Sequence, residues 1–231
     1  MWKLFLGRLD LRSTIISVIS SAMFLSLLCS LSMQTGYADI AVADSAQTIK
    51  PLQVGQSAPH FVVETVDQKS LVFDPHGLER PVLLITFRGG WCPYCNMHLS
   101  ELRTVIPKIH ALGVDILFLS GDRPEMLYQS LRSDTQENID GLDYQILSDA
   151  NAQAAMALGI AFKASDRTID RRRMKGQDIA DSSMLRHGIL PVPAIFAIDQ
   201  DGVIVFTFIA ADYKIRLSAE KLLAVATKIV Q

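Results

Sequence analysis

Apolar and polar positions along this 231-residue chain fall into short blocks of changing period. Phe61 to Val66 and Ser70 to Phe73 read as an early hairpin. Val82-Leu83-Leu84-Ile85-Thr86-Phe87 is a continuous run of strand length, as expected of a strand buried on both faces. From Cys95 to Leu112 the period becomes helical, with Leu99, Leu102, Val105, Ile106 and Ile109 three or four apart; Gly113 stops this helix and Pro107 kinks it. Val114 to Leu119 predicts the next buried strand, Pro124 to Ser133 a helix, Tyr144 to Leu147 a short strand, and Ala150 to Leu158 a helix closed by Gly159. An irregular stretch runs to about Leu190. Ala194 to Ile198 and Val203 to Ile209 flank Asp199-Gln200-Asp201-Gly202, whose Asp-Gly step is a hairpin signal, and Ser218 caps a last helix. The order is βαβα followed by ββα. It predicts an α/β fold whose central mixed sheet is covered by helices on both faces, with an N-terminal β-hairpin extension.

The N-terminal region has a different pattern. Lys3, Arg8 and Arg12 precede an uncharged apolar stretch from Ser13 to Met33, and Gly36-Tyr37-Ala38 offers small residues where a signal peptidase reads. Residues 1–38 therefore read as a secretory signal peptide or an uncleaved N-terminal anchor, since the apolar stretch is nearly long enough to span a bilayer. Both readings carry the rest of the chain out of the cytoplasm, to the periplasm or another extracytoplasmic space. Cys29 lies inside this stretch after Leu27-Leu28, without the small residue that precedes a lipidated cysteine. Residues 39–53, small and polar, read as a linker, and 54–231 as one folded domain.

Charge excludes some partners. Without residues 1–38, which hold Lys3, Arg8, Arg12 and Asp10, 19 basic side chains face 23 acidic ones, and this balance argues for neither nucleic acid nor an anionic membrane surface. The Arg167 to Lys175 stretch is locally basic, but Asp166, Asp170, Asp178 and Asp181 surround it, which predicts an internally neutralised, solvated loop.

Two cysteines remain after the leader, Cys92 and Cys95, in Trp91-Cys92-Pro93-Tyr94-Cys95 between a buried strand and a helix. Unpaired N–H groups and partial positive charge at a helix N-terminus stabilise a thiolate, so Cys92 is expected to have the lowered pKa and attack first. Cys95, about one turn further in, is placed to resolve the mixed disulfide. A structural disulfide would close too short a loop to be worth much. Zinc would gain His98 as a third ligand but has no second cysteine pair to complete its site. Haem attachment is excluded by Asn96, where C-x-x-C-H requires histidine. No metal or other cofactor is expected.

Pro193, in Leu190-Pro191-Val192-Pro193-Ala194, stands directly before a predicted strand. A cis Val192–Pro193 bond is expected here, turning the backbone toward the cysteines and exposing the Val192 peptide group to a substrate strand.

With these residues in place, the chain from about Val54 onward resembles the thioredoxin-like superfamily, most closely its AhpC/TSA, or peroxiredoxin-like, branch. The resemblance rests on Gly55-Gln-Ser-Ala-Pro59-His-Phe61, Phe87-Arg-Gly-Gly-Trp-Cys-Pro-Tyr-Cys95, Ile146-Leu-Ser-Asp149 and Pro191-Val-Pro-Ala-Ile-Phe-Ala-Ile-Asp-Gln-Asp-Gly202. It implies a thioredoxin-like fold and a thiol oxidoreductase that reduces a peroxide or a protein disulfide and is recharged by a thioredoxin-like donor. The peroxiredoxin motif P-x-x-x-T-x-x-C, laid on Cys95, puts its proline at Arg88 and its threonine at Cys92, and the family's later arginine falls at Pro193. All three are replaced. Family membership thus points to Cys95 as the peroxidatic residue, and the motif, similar to thioredoxin's, to Cys92 as the leading thiol. Arg88, Trp91, Val192 and Pro193 are the expected substrate-positioning residues, Arg88 either as an anion-stabilising charge or as a packed structural group. Some exported thioredoxin folds hold copper with a wider-spaced cysteine pair and a distant histidine, a role for which His187 is the candidate here.

Overall fold

The computed structural model describes residues 42–174 and 182–231. The leader of residues 1–38, and with it Cys29, lies outside the described residues, as do Lys175, Asp178 and Asp181. Strands run in chain order as β1 (Phe61–Glu64), β2 (Ser70–Phe73), β3 (Val82–Phe87), β4 (Asp115–Ser120), β5 (Gln145–Ser148), β6 (Ala161–Lys163), β7 (Ile189–Pro191), β8 (Ala194–Ile198) and β9 (Ile204–Ile209). Helices are α1 (Pro93–Leu102), α2 (Ile106–Ala111), α3 (Ser133–Ile139), α4 (Gln153–Ala157), α5 (Asp166–Met174), α6 (Ser183–His187) and α7 (Ala219–Ile229).

A seven-stranded mixed sheet has the order β2-β1-β5-β4-β3-β8-β9. β3, β4 and β5 are parallel, with Val82 opposite Asp115 and Leu117 opposite Gln145, and β8 and β9 add antiparallel partners at one side. Successive strand side chains point to opposite faces, and β3 feeds two cores. Val82 and Leu84 join Leu119, Phe196 and Leu158 on one face; Leu83, Ile85 and Phe87 join Phe118, Leu102, Ile109 and Leu222 on the other. That double burial explains the unbroken apolar run. It also brings the carboxyl ends of β3, β4 and β5 to one rim of the sheet, where α/β proteins build their sites. Among the described residues, no helix is long and apolar enough to cross a membrane.

Several elements differ from expectation for identifiable reasons. The single helix predicted from Cys95 to Leu112 is two, α1 starting at Pro93 and α2 at Ile106. Pro107 cannot donate the bond that would continue α1, so it opens a new helix instead. The helix predicted over Pro124 to Ser133 is a 3₁₀ turn at Pro124–Met126, with α3 beginning only at Ser133. Between them, Ser130 Oγ donates to Asp122 at 2.7 Å and the Arg132 amide to Asn96 Oδ1 at 2.9 Å, so tertiary bonds hold this segment against the cysteine turn.

The irregular stretch before Leu190 contains the β6–β7 ribbon, α5 and α6, and the described part of the predicted Arg167 to Lys175 loop is helical. The linker reading of residues 39–53 also fails over its described part. The Ala43 amide donates to Ala161 O and the Leu52 amide to Leu158 O, Ala46 is buried, and a Cβ on Gly159 would collide with the Lys50 carbonyl.

Candidate active site

β3 ends at Phe87, and Arg88-Gly89-Gly90-Trp91 carries the chain to α1, with Cys92 as its N-cap residue. The two glycines are required by space. Gly89 has φ +142°, and a Cβ on it would lie 2.5 Å from both the Asp122 carboxylate and the Trp91 indole nitrogen; one on Gly90 would overlap Ser130 Oγ and lie 2.5 Å from the Ser130 carbonyl carbon. The Gly90 amide donates to Asp122 Oδ2 at 2.7 Å, and the Asn96 amide donates to Gly90 O at 2.5 Å and Cys92 O at 3.0 Å. Asp122, just past β4, and Asn96 of α1 thus fix the turn from two sides.

Cys92 and Cys95 are both free thiols and both buried. The Cys95 hydrogen bond, opposed by burial and aided by the charges of Arg88 and Arg216, holds Cys92 down at about 6. Burial, and then the bond and charge of Cys92, push Cys95 well above the ordinary thiol value. The Cys95 hydrogen bond thus favours the thiolate on Cys92 over one on Cys95.

Arg216 lies in the segment before α7, where its guanidinium donates to Cys95 Sγ at 3.6 Å. It is held by the carbonyls of Tyr213 and, at 2.9 Å, Ile215. Arg88 is buried with its guanidinium 4.5 Å from the Tyr213 ring centre and 5.7 Å from that of Phe162. Burial pulls its pKa down, and the two cysteines push it back up. Trp91 is half-buried with Arg172 5.0 Å over its ring.

The expectation for Val192 and Pro193 is corrected. Among the described residues no peptide bond is cis, and both backbone groups of Val192 are already used. Its amide donates to Ile160 O at 3.0 Å and its carbonyl accepts from Thr86 Oγ1 at 3.0 Å, while the Ala194 amide donates to the same hydroxyl. Both Val192 backbone groups are thus engaged within the fold, and the residue is buried. His98 is hydrogen-bonded to Leu217 O at 3.0 Å, and burial pulls its imidazole down to about 4. His187 is engaged at both ring nitrogens, by Ala150 O and the Ile189 amide, so its ring serves the backbone of the turn after β5 and of β7.

Sequence reasoning missed Asp122 and Arg216 and gave Asn96 no structural role. The Gly89-Gly90 pair was the one local sign that something packs closely against the turn. Nothing near Arg216 in the sequence marks it.

A dithiol at a helix N-terminus, with one thiol acidified, on a thioredoxin-like sheet defines a thiol-dependent oxidoreductase. The AhpC/TSA family model matches residues 54–207, and the chain belongs to that family. A thiol-disulfide oxidoreductase ResA of Bacillus thuringiensis (strain Al Hakam) is 25% identical over 166 residues, 72% of this chain and 75% of that protein. The peroxiredoxin Bcp of Escherichia coli (strain K12) is 26% identical over 112 residues, 48% of this chain and 67% of that one. Among solved structures, a peroxiredoxin-like protein from Aquifex aeolicus superposes with a TM-score of 0.59 at 17% identity, covering 78% of this chain and 89% of that one.

Proposed function

We propose that the reduced protein passes two electrons from Cys92 and Cys95 to a disulfide or a peroxide, Cys92 attacking first. The observation that carries this is the placement of the pair, two free thiols at the start of α1 with Cys92 as its N-cap residue and the Arg216 guanidinium 3.6 Å from Cys95 Sγ; the lowering of Cys92 and the raising of Cys95 point the same way. With a disulfide, the Cys92 thiolate attacks one sulfur, the S–S bond breaks and the leaving thiolate takes a proton. Cys95 then gives up its own proton, attacks Cys92 Sγ and releases the second thiol, leaving a Cys92–Cys95 disulfide. With a peroxide, Cys92 takes one oxygen as a sulfenic acid, the alcohol or water departs, and Cys95 displaces water. A thioredoxin-like dithiol restores the pair and becomes a disulfide itself. Arg88 and Arg216 stabilise the charge at Cys92, and Trp91 flanks the entry.

The names of the relatives, one a thiol-disulfide oxidoreductase and one a peroxiredoxin, support both substrate classes. Export to the periplasm or another extracytoplasmic space, by a cleaved signal or an anchor, is supported by Lys3, Arg8 and Arg12 ahead of the apolar Ser13–Met33 stretch. The test is turnover of Cys92→Ser and Cys95→Ser with hydrogen peroxide and with insulin disulfides. Both variants are expected to lose turnover, and Cys95→Ser to trap a mixed disulfide. Full activity in either variant overturns the dithiol cycle, and single-turnover peroxide consumption by Cys92→Ser would move the attack to Cys95.

A further inference from the structure

Against Arg88, at the start of the cysteine turn, lies a cavity of about 310 Å³ whose charged lining among the described residues is Arg88, Lys163, Arg171 and Arg172 against the carboxylate of Asp44. Asp44 is already paired with Lys163 at 3.4 Å. Of the acidic residues on α5, Asp170 pairs with Arg173 at 3.7 Å, and neither it nor Asp166 lines the cavity. The remaining walls are apolar, from Phe162 and Leu190, and hydroxylic, from Ser165 and Thr168. Arg88 is one of its lining residues. It is 6% exposed, and its Nε has no hydrogen-bond partner among the described residues. Among the described residues, the charged and titratable groups acting on it are Cys92, Cys95, Arg216 and Tyr213, with no carboxylate among them. A buried guanidinium with an unused donor, facing a cationic cavity, is arranged for an anion.

We propose that this cavity binds the carboxylate of a small-molecule disulfide and presents its S–S bond to Cys92. The proposal rests on the dithiol reading above and names a substrate class for it. Carboxylates on a short aliphatic disulfide meet the arginines, and the methylene chain lies on the apolar wall. Reduction is balanced by the pair alone: the Cys92 and Cys95 thiols give two electrons and two protons, one S–S bond breaks to two thiols, and the Cys92–Cys95 disulfide forms. A cavity of this size suits a ligand of about a dozen non-hydrogen atoms.

The test compares 3,3′-dithiodipropionate with its neutral diamide, equal in length, in single turnovers of pre-reduced protein at low salt. The diacid is expected to react about tenfold faster. Arg171→Gln removes an exposed charge of the cavity lining; it should slow the diacid and erase most of that preference, and Arg171→Lys should restore it. Equal rates for diacid and diamide in the unaltered protein overturn the proposal while the dithiol cycle stands. If neither disulfide reacts, calorimetric titration with suberate, which replaces the two sulfurs by methylenes, decides the site by itself. Suberate binding that Arg171→Gln weakens keeps the anion site and overturns disulfide exchange; no binding overturns the site.

Discussion

The guanidinium of Arg216 donates to Cys95 Sγ at 3.6 Å, across 121 positions of sequence. Its charge also favours the thiolate of Cys92. The segment before α7 therefore helps set the reactivity of the α1 pair. Replacing Arg216 by Gln removes one of the two positive charges near that thiolate. The midpoint of Cys92 alkylation by iodoacetamide should rise by about one pH unit, as expected for loss of one nearby opposite charge. An unchanged midpoint would leave Arg216 a purely structural role.

The Cys92 value implies a pH profile of defined sign. Because its folded value is depressed from 9.0 to about 6, the thiolate dominates above that point and the thiol below it. Alkylation of the reduced protein should climb about tenfold per pH unit below the midpoint and level off above it. Stability follows the same direction. Between about 6 and 9.0 the unfolded chain holds more protons than the folded one, so this group stabilises the reduced fold as pH rises. That contribution is complete above the unfolded value and is lost as pH falls through the folded one. Denaturant midpoints of reduced wild type should show this rise, and those of Cys92→Ser should lack it.

Asn96 joins three backbone groups that otherwise have no reason to meet: Gly90 O, Cys92 O and the Arg132 amide. It is 2% exposed, so truncation leaves buried polar groups unpaired. Asn96→Ala should cost about 3 kcal/mol in equilibrium denaturation, at the upper end for a buried hydrogen-bonding side chain. It should also slow alkylation of Cys92, because the turn that presents the thiol loses its brace. A loss under about 0.5 kcal/mol would mean that water replaces these bonds.

Two glycines separate close approach from backbone conformation. At Gly113, φ is +77° and nothing lies within 4 Å of the Cβ position, so Gly113→Ala should cost only the left-handed penalty, about 1 kcal/mol. Gly90→Ala has no such φ penalty, but its methyl would sit against the Ser130 hydroxyl and backbone. Overpacking there should cost about 3 kcal/mol or shift the turn, with loss of the Gly90–Asp122 hydrogen bond. Thermal denaturation of the two variants side by side gives the comparison.

Much of this was legible in the sequence by itself. β3, β8 and the early hairpin follow from apolar runs and turn residues, Ser218 accepts from the Lys221 amide at the start of α7 as its hydroxyl suggested, and the cysteine pair falls at a strand-to-helix junction. These features depend on neighbours within a few residues, and a local pattern carries that information. Tertiary structure alone decided the rest. Arg216 beside Cys95, Asp122 under the glycine turn, Thr86 closing the Val192 carbonyl and Val42 to Gln53 packed on β6 and the end of α4 are pairings between distant segments. Their partners are chosen by which surfaces the sheet brings together, and that order of strands leaves no periodic trace in either segment. Hence Trp91-Cys92-Pro93-Tyr94-Cys95 announces redox chemistry from sequence and favours Cys92 as the acidified sulfur through the Cys95 hydrogen bond inside the motif, whereas the burial that opposes this and the Arg216 charge that aids it are supplied across the fold.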